Sequence, residues 1–503
     1  MPDVFSPPTR AWFEAAFAAP TPAQVGAWRT IAAGRHALVV APTGSGKTLS
    51  AFMWSLDRLF TAAPVDRKQR CRVLYVSPLK ALAVDVERNL RAPLVGIRQT
   101  GVRLGIDVPE VTVGIRSGDT PANERRRLQT TPPDILITTP ESLFLMLTSQ
   151  ARESLRGVET VILDEVHAVA GTKRGAHLAL SLERLDELLE KPAQRIGLSA
   201  TVRPAEEVAR FLGGTTPVEV VAPGSEKQWD LRVVVPVEDM TQLDDPQAED
   251  GRMGSIWPHV EERVVDLIEQ HTSTIVFANS RRLAERLTAR LNEIAAERAA
   301  ARLERAVDGA AQPAERSRTP AELMAQSGQA AGAAAVIARA HHGSVSKEQR
   351  AIIEDDLKRG RLPCVVATSS LELGIDMGAV DLVVQVEAPP SVAAGLQRVG
   401  RAGHQVGAVS RGVMFPKYRG DLVESAVVAE RMQAGQIEAM RYPRNPLDVL
   451  AQQVVAMVAL DAWTVDDLAA LVRGSAPFAT LPTSALESVL DMLSGRYPSD
   501  EFA

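Results

Sequence analysis

The stretch Ala41-Pro42-Thr43-Gly44-Ser45-Gly46-Lys47-Thr48 puts two glycines, a lysine and three hydroxyls into one turn. The apolar run His36-Ala37-Leu38-Val39-Val40 before it reads as a buried parallel strand. Leu49-Ser50-Ala51-Phe52-Met53-Trp54 after it reads as the start of a helix. A strand, a glycine-rich turn and a helix N-terminus aim backbone N–H groups and the positive end of a helix dipole at one point, which makes the turn a cradle for phosphate. Gly44 and Gly46 allow a close approach that a side chain would block. Thr43 and Ser45 complete the wall of the cradle. Lys47 can reach the β- and γ-phosphates of a nucleotide, and the Thr48 hydroxyl can hold Mg2+. An ordinary glycine-rich turn would explain the glycines but would leave Lys47 and Thr48 without a purpose.

A second constellation closes the run Val161-Ile162-Leu163, where the apolar pattern stops at Asp164-Glu165 and His167 follows. Ligands of parallel sheets sit at the carboxyl ends of the strands. There Asp164 is placed to bind Mg2+ directly or through water, and Glu165 to orient or deprotonate the water that attacks a γ-phosphate. Ser199-Ala200-Thr201 ends another apolar run, and its two hydroxyls on a tight turn can relay the state of a neighbouring acid. Further on, Thr368 and Ser369 are expected on a nucleic-acid backbone, and Asp376 on a nucleotide ribose. In Gln397-Arg398-Val399-Gly400-Arg401-Ala402-Gly403-His404 the two arginines are three apart, so they are neighbours on a helix. Delivered to a γ-phosphate, such a cation acts as an arginine finger. A solvated basic face is the plainer reading of the same pair.

These residues need a scaffold that repeats strand, turn and helix. Apolar runs at 72–76, 111–115, 134–138, 160–164 and 194–199 alternate with helical patterns, which predicts a doubly wound parallel sheet in a first domain over 1–222. Thr21-Pro22-Ala23-Gln24 reads as a capped helix start. A polar link over about 222–256 precedes a second α/β domain, 257–425, with strands at 273–277, 364–367 and 382–385. Residues 292–335 begin as a strong helix former and loosen around Gly309, Pro313, Pro320 and Gly328, as a helical extension with a mobile tip would. Beyond 425 the β signals fade. Residues 440–503 read as the opening of a small helical domain of winged-helix type, stopping at Ala503 without a closing hairpin, as in a fragment of a longer chain.

A chain of 503 residues suggests about three domains. The net charge of −6, from 62 acidic and 56 basic residues, excludes a general polycation but not a local basic groove. The two cysteines, Cys71 and Cys364, each lie beside an apolar run and read as buried residues of a reducing compartment, with neither a disulfide framework nor a metal pattern. There is no apolar run long enough to span a membrane and no signal-type N-terminus, so the expected setting is soluble and cytoplasmic.

In order along residues 20–405, these elements resemble the motifs of superfamily 2 helicases. Thr21–Gln24 resembles the Q motif, in which Gln24 would read the adenine edge, and Ala41–Thr48 resembles motif I. Ser77-Pro78-Leu79-Lys80-Ala81-Leu82 and Thr138-Thr139-Pro140-Glu141-Ser142-Leu143 resemble motifs Ia and Ib. Asp164–His167 is a DEVH form of motif II, and Ser199–Thr201 resembles motif III. Ile275–Arg281, 368–376 and 397–404 resemble motifs IV, V and VI. The DEVH box, the Ser-Pro-Leu-Lys-Ala-Leu form and the Gln-Arg-Val-Gly-Arg-Ala-Gly-His form are most similar to the Lhr family, the large helicase-related proteins. Arg441-Tyr442-Pro443-Arg444-Asn445-Pro446-Leu447-Asp448 resembles the lead into that family's winged helix.

The resemblance implies two RecA-like domains closing over ATP and Mg2+, with 3′-to-5′ translocation on single-stranded DNA, unwinding of DNA or RNA–DNA hybrid duplexes, and a role in DNA repair. It also implies a monomer, and a family chain that continues well past residue 503. Strand contacts are expected from Lys80, Thr139, Arg281 and Thr368, mainly to phosphate and therefore sequence-tolerant and salt-sensitive. Many relatives end motif VI with a second arginine where this chain has His404, so Arg401 carries the finger assignment. An RNA helicase, or an ATP-gated clamp that binds nucleic acid without unwinding it, would use the same motifs.

Overall fold

The structure, a computed structural model, describes residues 3–42, 44–63, 65–224, 228–240, 255–308, 336–373, 377–403 and 408–496. The chain forms two compact units, Met1–Ser225 with Glu438–Ala503, and Glu226–Ile437.

The first unit is built on seven parallel strands: β1 (His36–Val40), β2 (Val73–Val76), β3 (Val113–Arg116), β4 (Ile135–Thr138), β5 (Thr160–Leu163), β6 (Gln194–Ser199) and β7 (Val218–Val221). They lie in the order β3-β4-β2-β5-β6-β1-β7. The central strands are apolar at nearly every position because helices cover both faces of the sheet. One face buries Trp28, Phe52, Tyr75 and Ile162, and the other Leu38, Leu74, Leu163 and Phe211. Register aligns Val40 with Ser199 and Leu163 with Gly197, so β1, β6 and β5 end side by side. The sequence places its phosphate turn, its hydroxyl pair and its acid pair after those three strands. The doubly wound sheet expected from the apolar runs is therefore present, and it gathers the three motifs at one edge.

The second unit has six parallel strands: β8 (Trp229–Val233), β9 (Thr274–Phe277), β10 (Ala338–His341), β11 (Cys364–Ala367), β12 (Leu382–Val386) and β13 (Ser410–Phe415), ordered β10-β11-β9-β12-β13-β8. The stretch expected as a polar link thus carries β8, which pairs with β13 and closes this sheet. Within the expected helical extension, residues up to 308 continue the helix Arg281–Asp308, and 309–335 lie outside the described residues.

After the second sheet the chain returns to the first unit. Helices Leu447–Val458, Val465–Gly474 and Thr483–Leu493 pack on helix Lys173–Leu188, with Leu450, Val454, Leu468, Phe478 and Leu486 closing over Ala176 and Leu180. Gln453 is buried in the joint. Its carbonyl accepts from Arg184 at 2.8 Å, and its amide donates to the His177 carbonyl at 3.0 Å and the Ser181 hydroxyl at 3.1 Å. Lys173 pairs with Asp448 at 2.8 Å across the same joint. No helix among the described residues is long and apolar enough to cross a membrane.

Leu450 is fully buried in this joint, so Leu450→Ala should lower the stability of the first unit by about 3 kcal/mol. Urea denaturation checks this, and an unchanged midpoint would show that the C-terminal helices are not docked as described.

Candidate functional site

The phosphate turn is held open from behind. Gly44 and Gly46 have φ of 81° and 76°, the left-handed region that favours glycine. Gly46 is the cap of helix Lys47–Thr61. Thr21 and Gln24 form a reciprocal capping box at the start of helix Pro22–Ala32. The box also braces the turn: the Thr21 hydroxyl donates to the Ser45 carbonyl at 3.0 Å, and the Gln24 amide to the Gly46 carbonyl at 3.5 Å. The sequence expects Gln24 to read an adenine edge, but its carboxamide is here turned inward, with its oxygen accepting from Thr21 N–H at 2.9 Å. A Cβ at Gly46 would stand 2.6 Å from the Gln24 amide nitrogen. Ser45 folds its hydroxyl onto the Pro42 carbonyl at 2.7 Å. Lys47 is buried and its ammonium has no hydrogen-bond partner among the described residues. Thr48 follows in the first turn of the helix, half-buried. Thr43 lies outside the described residues.

Two strands away, Asp164 is buried with both carboxylate oxygens engaged. Oδ1 accepts from the Glu165 N–H at 2.9 Å, and Oδ2 accepts from the Tyr75 hydroxyl. Burial first, and then the charge of Glu165, push the Asp164 carboxyl up to about 7, while Tyr75 and the Lys47 ammonium pull it back. Glu165 is buried at φ 43°, a strained conformation for a residue with a Cβ. Its carboxylate stands 3.5 Å from His167 Nδ1. That nitrogen accepts from the Ala200 N–H at 3.2 Å and meets the Ser199 hydroxyl at 3.2 Å. The lone pair is therefore on Nδ1 and the proton on Nε2, and burial keeps the ring neutral. So the link between the acid pair and Ser199 runs through His167, and Thr201 is exposed and takes no part in it.

This donor set suits one divalent ion only in company. No cluster of three or more His, Cys, Asp or Glu able to hold a metal exists among the described residues. A buried carboxylate pair beside an unmet ammonium fits Mg2+ that brings phosphate oxygens with it, since Mg2+ is usually held by one or two carboxylates plus substrate phosphates.

In the second unit Arg398 and Arg401 are not a solvated face, for both are buried. Arg398 sits at the end of helix Val392–Val399 and donates to Asn279 at 2.9 Å, to Gln385 at 3.0 Å and to Glu372 at 3.1 Å, with its guanidinium 5.3 Å from the Phe277 ring centre. Arg401 donates to the Glu372 carbonyl at 2.9 Å. Glu372, Asn279 and Gln385 thus join motifs IV, V and VI, a role no local pattern in the sequence announces. Asp376 and His404 lie outside the described residues.

The four residues expected on a strand end neighbouring strands of each sheet. In the first unit, Lys80 follows β2 and pairs with Asp119, and Thr139 follows β4, where its hydroxyl caps helix Pro140–Leu147 by accepting from Ser142 N–H at 3.4 Å. In the second, Arg281 follows β9 and donates to Ser344 at 2.8 Å, and Thr368 follows β11 with its N–H on the His341 carbonyl at 3.3 Å. His341 is the last residue of β10, next to Thr368. The His341 ring is buried between Ser370 at 2.9 Å and Glu354 at 3.0 Å.

Two parallel sheets with these motifs at their strand ends define the core of a superfamily 2 helicase. In keeping with that, the DEAD/DEAH box helicase model matches residues 21–210, the helicase conserved C-terminal domain matches 315–405, and the winged helix domain of large helicase-related protein matches 430–503. The Lhr helicase/probable uracil glycosylase of Mycolicibacterium smegmatis is 66% identical over 499 residues, 99% of this chain and 32% of the relative. The Lhr helicase/uracil glycosylase of Escherichia coli is 58% identical over 514 residues, 100% of this chain and 33% of the relative. The solved structure of Mycobacterium smegmatis helicase Lhr bound to ssDNA and AMP-PNP superposes with a TM-score of 0.84 at 62% identity, over 97% of this chain and 58% of that one. The chain belongs to the Lhr family. It spans about a third of the length of these two curated relatives.

If Arg398 is a structural tie, Arg398→Ala should leave Glu372 without its counter-charge and cost the second unit about 3 kcal/mol. Thermal denaturation checks this. A melting point unchanged by the substitution would return Arg398 to the role of a free basic residue.

Proposed function

We propose that this chain is the motor of a DNA helicase, which hydrolyses ATP and uses the cycle to move 3′ to 5′ along single-stranded DNA, separating DNA or RNA–DNA duplexes in DNA repair. The observation that carries this reading is the buried ammonium of Lys47, without a hydrogen-bond partner among the described residues, at a turn two strands from the strand end that holds a buried carboxylate pair. Burying a charge without partners costs several kcal/mol, and a nucleotide's phosphates would supply the missing partner. The M. smegmatis relative, solved with ssDNA and AMP-PNP, supports both ligand classes.

In this reading Thr43, Gly44, Ser45 and Gly46 wrap the phosphates and Lys47 binds them, while Thr48 and Asp164 hold Mg2+. Bound there, the ion would neutralise phosphate charge during transfer. Glu165 orients and deprotonates the attacking water, and its strained backbone fixes where the carboxylate sits. Gln24 acts by bracing the turn, so its part in adenine recognition passes through loop geometry. His167 connects the acid pair to Ser199, the end of β6, which gives the hydrolysis state a mechanical outlet. Arg401 stabilises charge on the γ-phosphate, Arg398 holds Arg401's neighbourhood in shape, and Asp376 contacts the ribose. Lys80, Thr139, Arg281 and Thr368 line the strand track at the carboxyl ends of β2, β4, β9 and β11.

ATP hydrolysis should rise strongly with single-stranded DNA and little with single-stranded RNA. Glu165→Gln should abolish hydrolysis while keeping nucleotide binding. Arg401→Ala should slow hydrolysis by about 10³-fold with nucleotide affinity nearly unchanged. A steady-state ATPase assay checks all three. Equal or greater stimulation by RNA would favour an RNA helicase, and stimulation without strand displacement would favour a clamp.

A further inference from the structure

Among the buried polar side chains that the mechanism above leaves unused, one touches the acid pair directly. Tyr75 lies in the middle of the first sheet, on β2, with no exposure to solvent. A buried tyrosine hydroxyl ordinarily finds a partner, and this one reaches the carboxylate of Asp164 at the end of the adjacent strand. The ring is fixed as well. It stacks on Phe52 with centroids 5.0 Å apart and planes 19° apart. Phe52 is in the second turn of helix Lys47–Thr61, the helix that begins at the phosphate turn.

Two consequences follow. With Tyr75 on Oδ2 and the Glu165 N–H on Oδ1, the Asp164 carboxylate cannot swing about its terminal bond without breaking a hydrogen bond. And Lys47 and Phe52 share one helix, Phe52 stacks on Tyr75, and Tyr75 holds Asp164, so the stack ties the helix that carries the phosphate-binding lysine to the acid.

We propose that Tyr75 is a positioning residue for the metal-side acid, locking the Asp164 carboxylate in register with the phosphate turn through its stack on Phe52. This rests on the ATP and Mg2+ reading given above. A tyrosine kept only for core volume would tolerate phenylalanine. A positioning tyrosine would not, because an outer partner of a metal-binding carboxylate commonly contributes about 10- to 100-fold in metal affinity.

The test titrates Mg2+ against the 503-residue chain with a fluorescent N-methylanthraniloyl-ADP probe. Tyr75→Phe should bind the probe in EDTA as tightly as the parent, yet need about tenfold more Mg2+ to reach the tightened state. Saturating Mg2+ should then restore most of the DNA-stimulated hydrolysis. Phe52→Leu, which keeps the hydroxyl but removes the stack, should shift the Mg2+ midpoint the same way by a smaller factor, and it decides the question if Tyr75→Phe does not fold. An unchanged Mg2+ midpoint in a folded Tyr75→Phe would overturn the proposal and leave the ATPase reading intact. Equal weakening with and without Mg2+ would also overturn it, since that is the mark of a general packing role. A parent chain that binds no probe at all would overturn both readings.

Discussion

A buried ammonium without a hydrogen-bond partner among the described residues, close enough to two buried carboxylates to act on their charge, is the constraint on which the phosphate turn depends. Such a group of charges is poorly compensated in a dry interior, and the protein holds it there by force of architecture. Three strands ending side by side fix the positions of the groups. The capping box of Thr21 and Gln24 keeps the turn from collapsing onto the lysine, and positive φ at Gly44, Gly46 and Glu165 sets the backbone path. The strain and the unmet charge are stored in the same few residues. An anion with its cation would compensate the charge, which is why the arrangement reads as a binding device and not as a stabilising one.

Much of this was legible in the sequence because the chemistry is local. A glycine-rich turn after an apolar run, and two acids after another, are patterns within ten residues, and the alternation of strands and helices dictates that they meet at one sheet edge. Four strands escaped notice, and one of them, β13, lies inside the second sheet with only Val413-Met414-Phe415 as an apolar run, while the other three lie at edges. β8 reads Trp-Asp-Leu-Arg-Val, β10 reads Ala-Arg-Ala-His, and both lie at an edge of the second sheet, where half of the strand needs no burial. β7, at an edge of the first sheet, is likewise only half-buried along its length. The partners of the motifs were illegible for a different reason. Tyr75 and Asp164 are 89 residues apart, and Arg398 and Asn279 are 119 apart, so only the folded sheet brings them within reach.

The two arginines of motif VI, expected on one helix face, sit in unlike settings: Arg398 is on helix Val392–Val399, and Arg401 lies two residues past its end. Spacing made them equivalent, since residues three apart share a helix face. Both are buried, and their partners divide them. Arg398 meets Glu372, Asn279 and Gln385, and that saturates its guanidinium with partners from three separate elements. Arg401 leans on a backbone carbonyl of the same glutamate. Glu372 is thus the hinge of the arrangement: its side chain holds one arginine and its main chain the other, so a displacement of the motif V loop would move both.

A similar economy governs the first unit. Helix Lys173–Leu188 starts just beyond the short helix His167–Ala170 that follows the acid pair, and its far face is the floor on which the C-terminal helices dock. One rigid element therefore touches the acid pair's neighbourhood at its start and the C-terminal helices along its length. The ammonium of Lys173 and the buried amide of Gln453 pin that docking by polar contacts, which demand one register where apolar packing alone would tolerate several. Between the two helices the chain passes through Gly171 and Thr172, both exposed, and Lys173 meets Asp448 at the surface, so the buried side of the joint rests on Gln453.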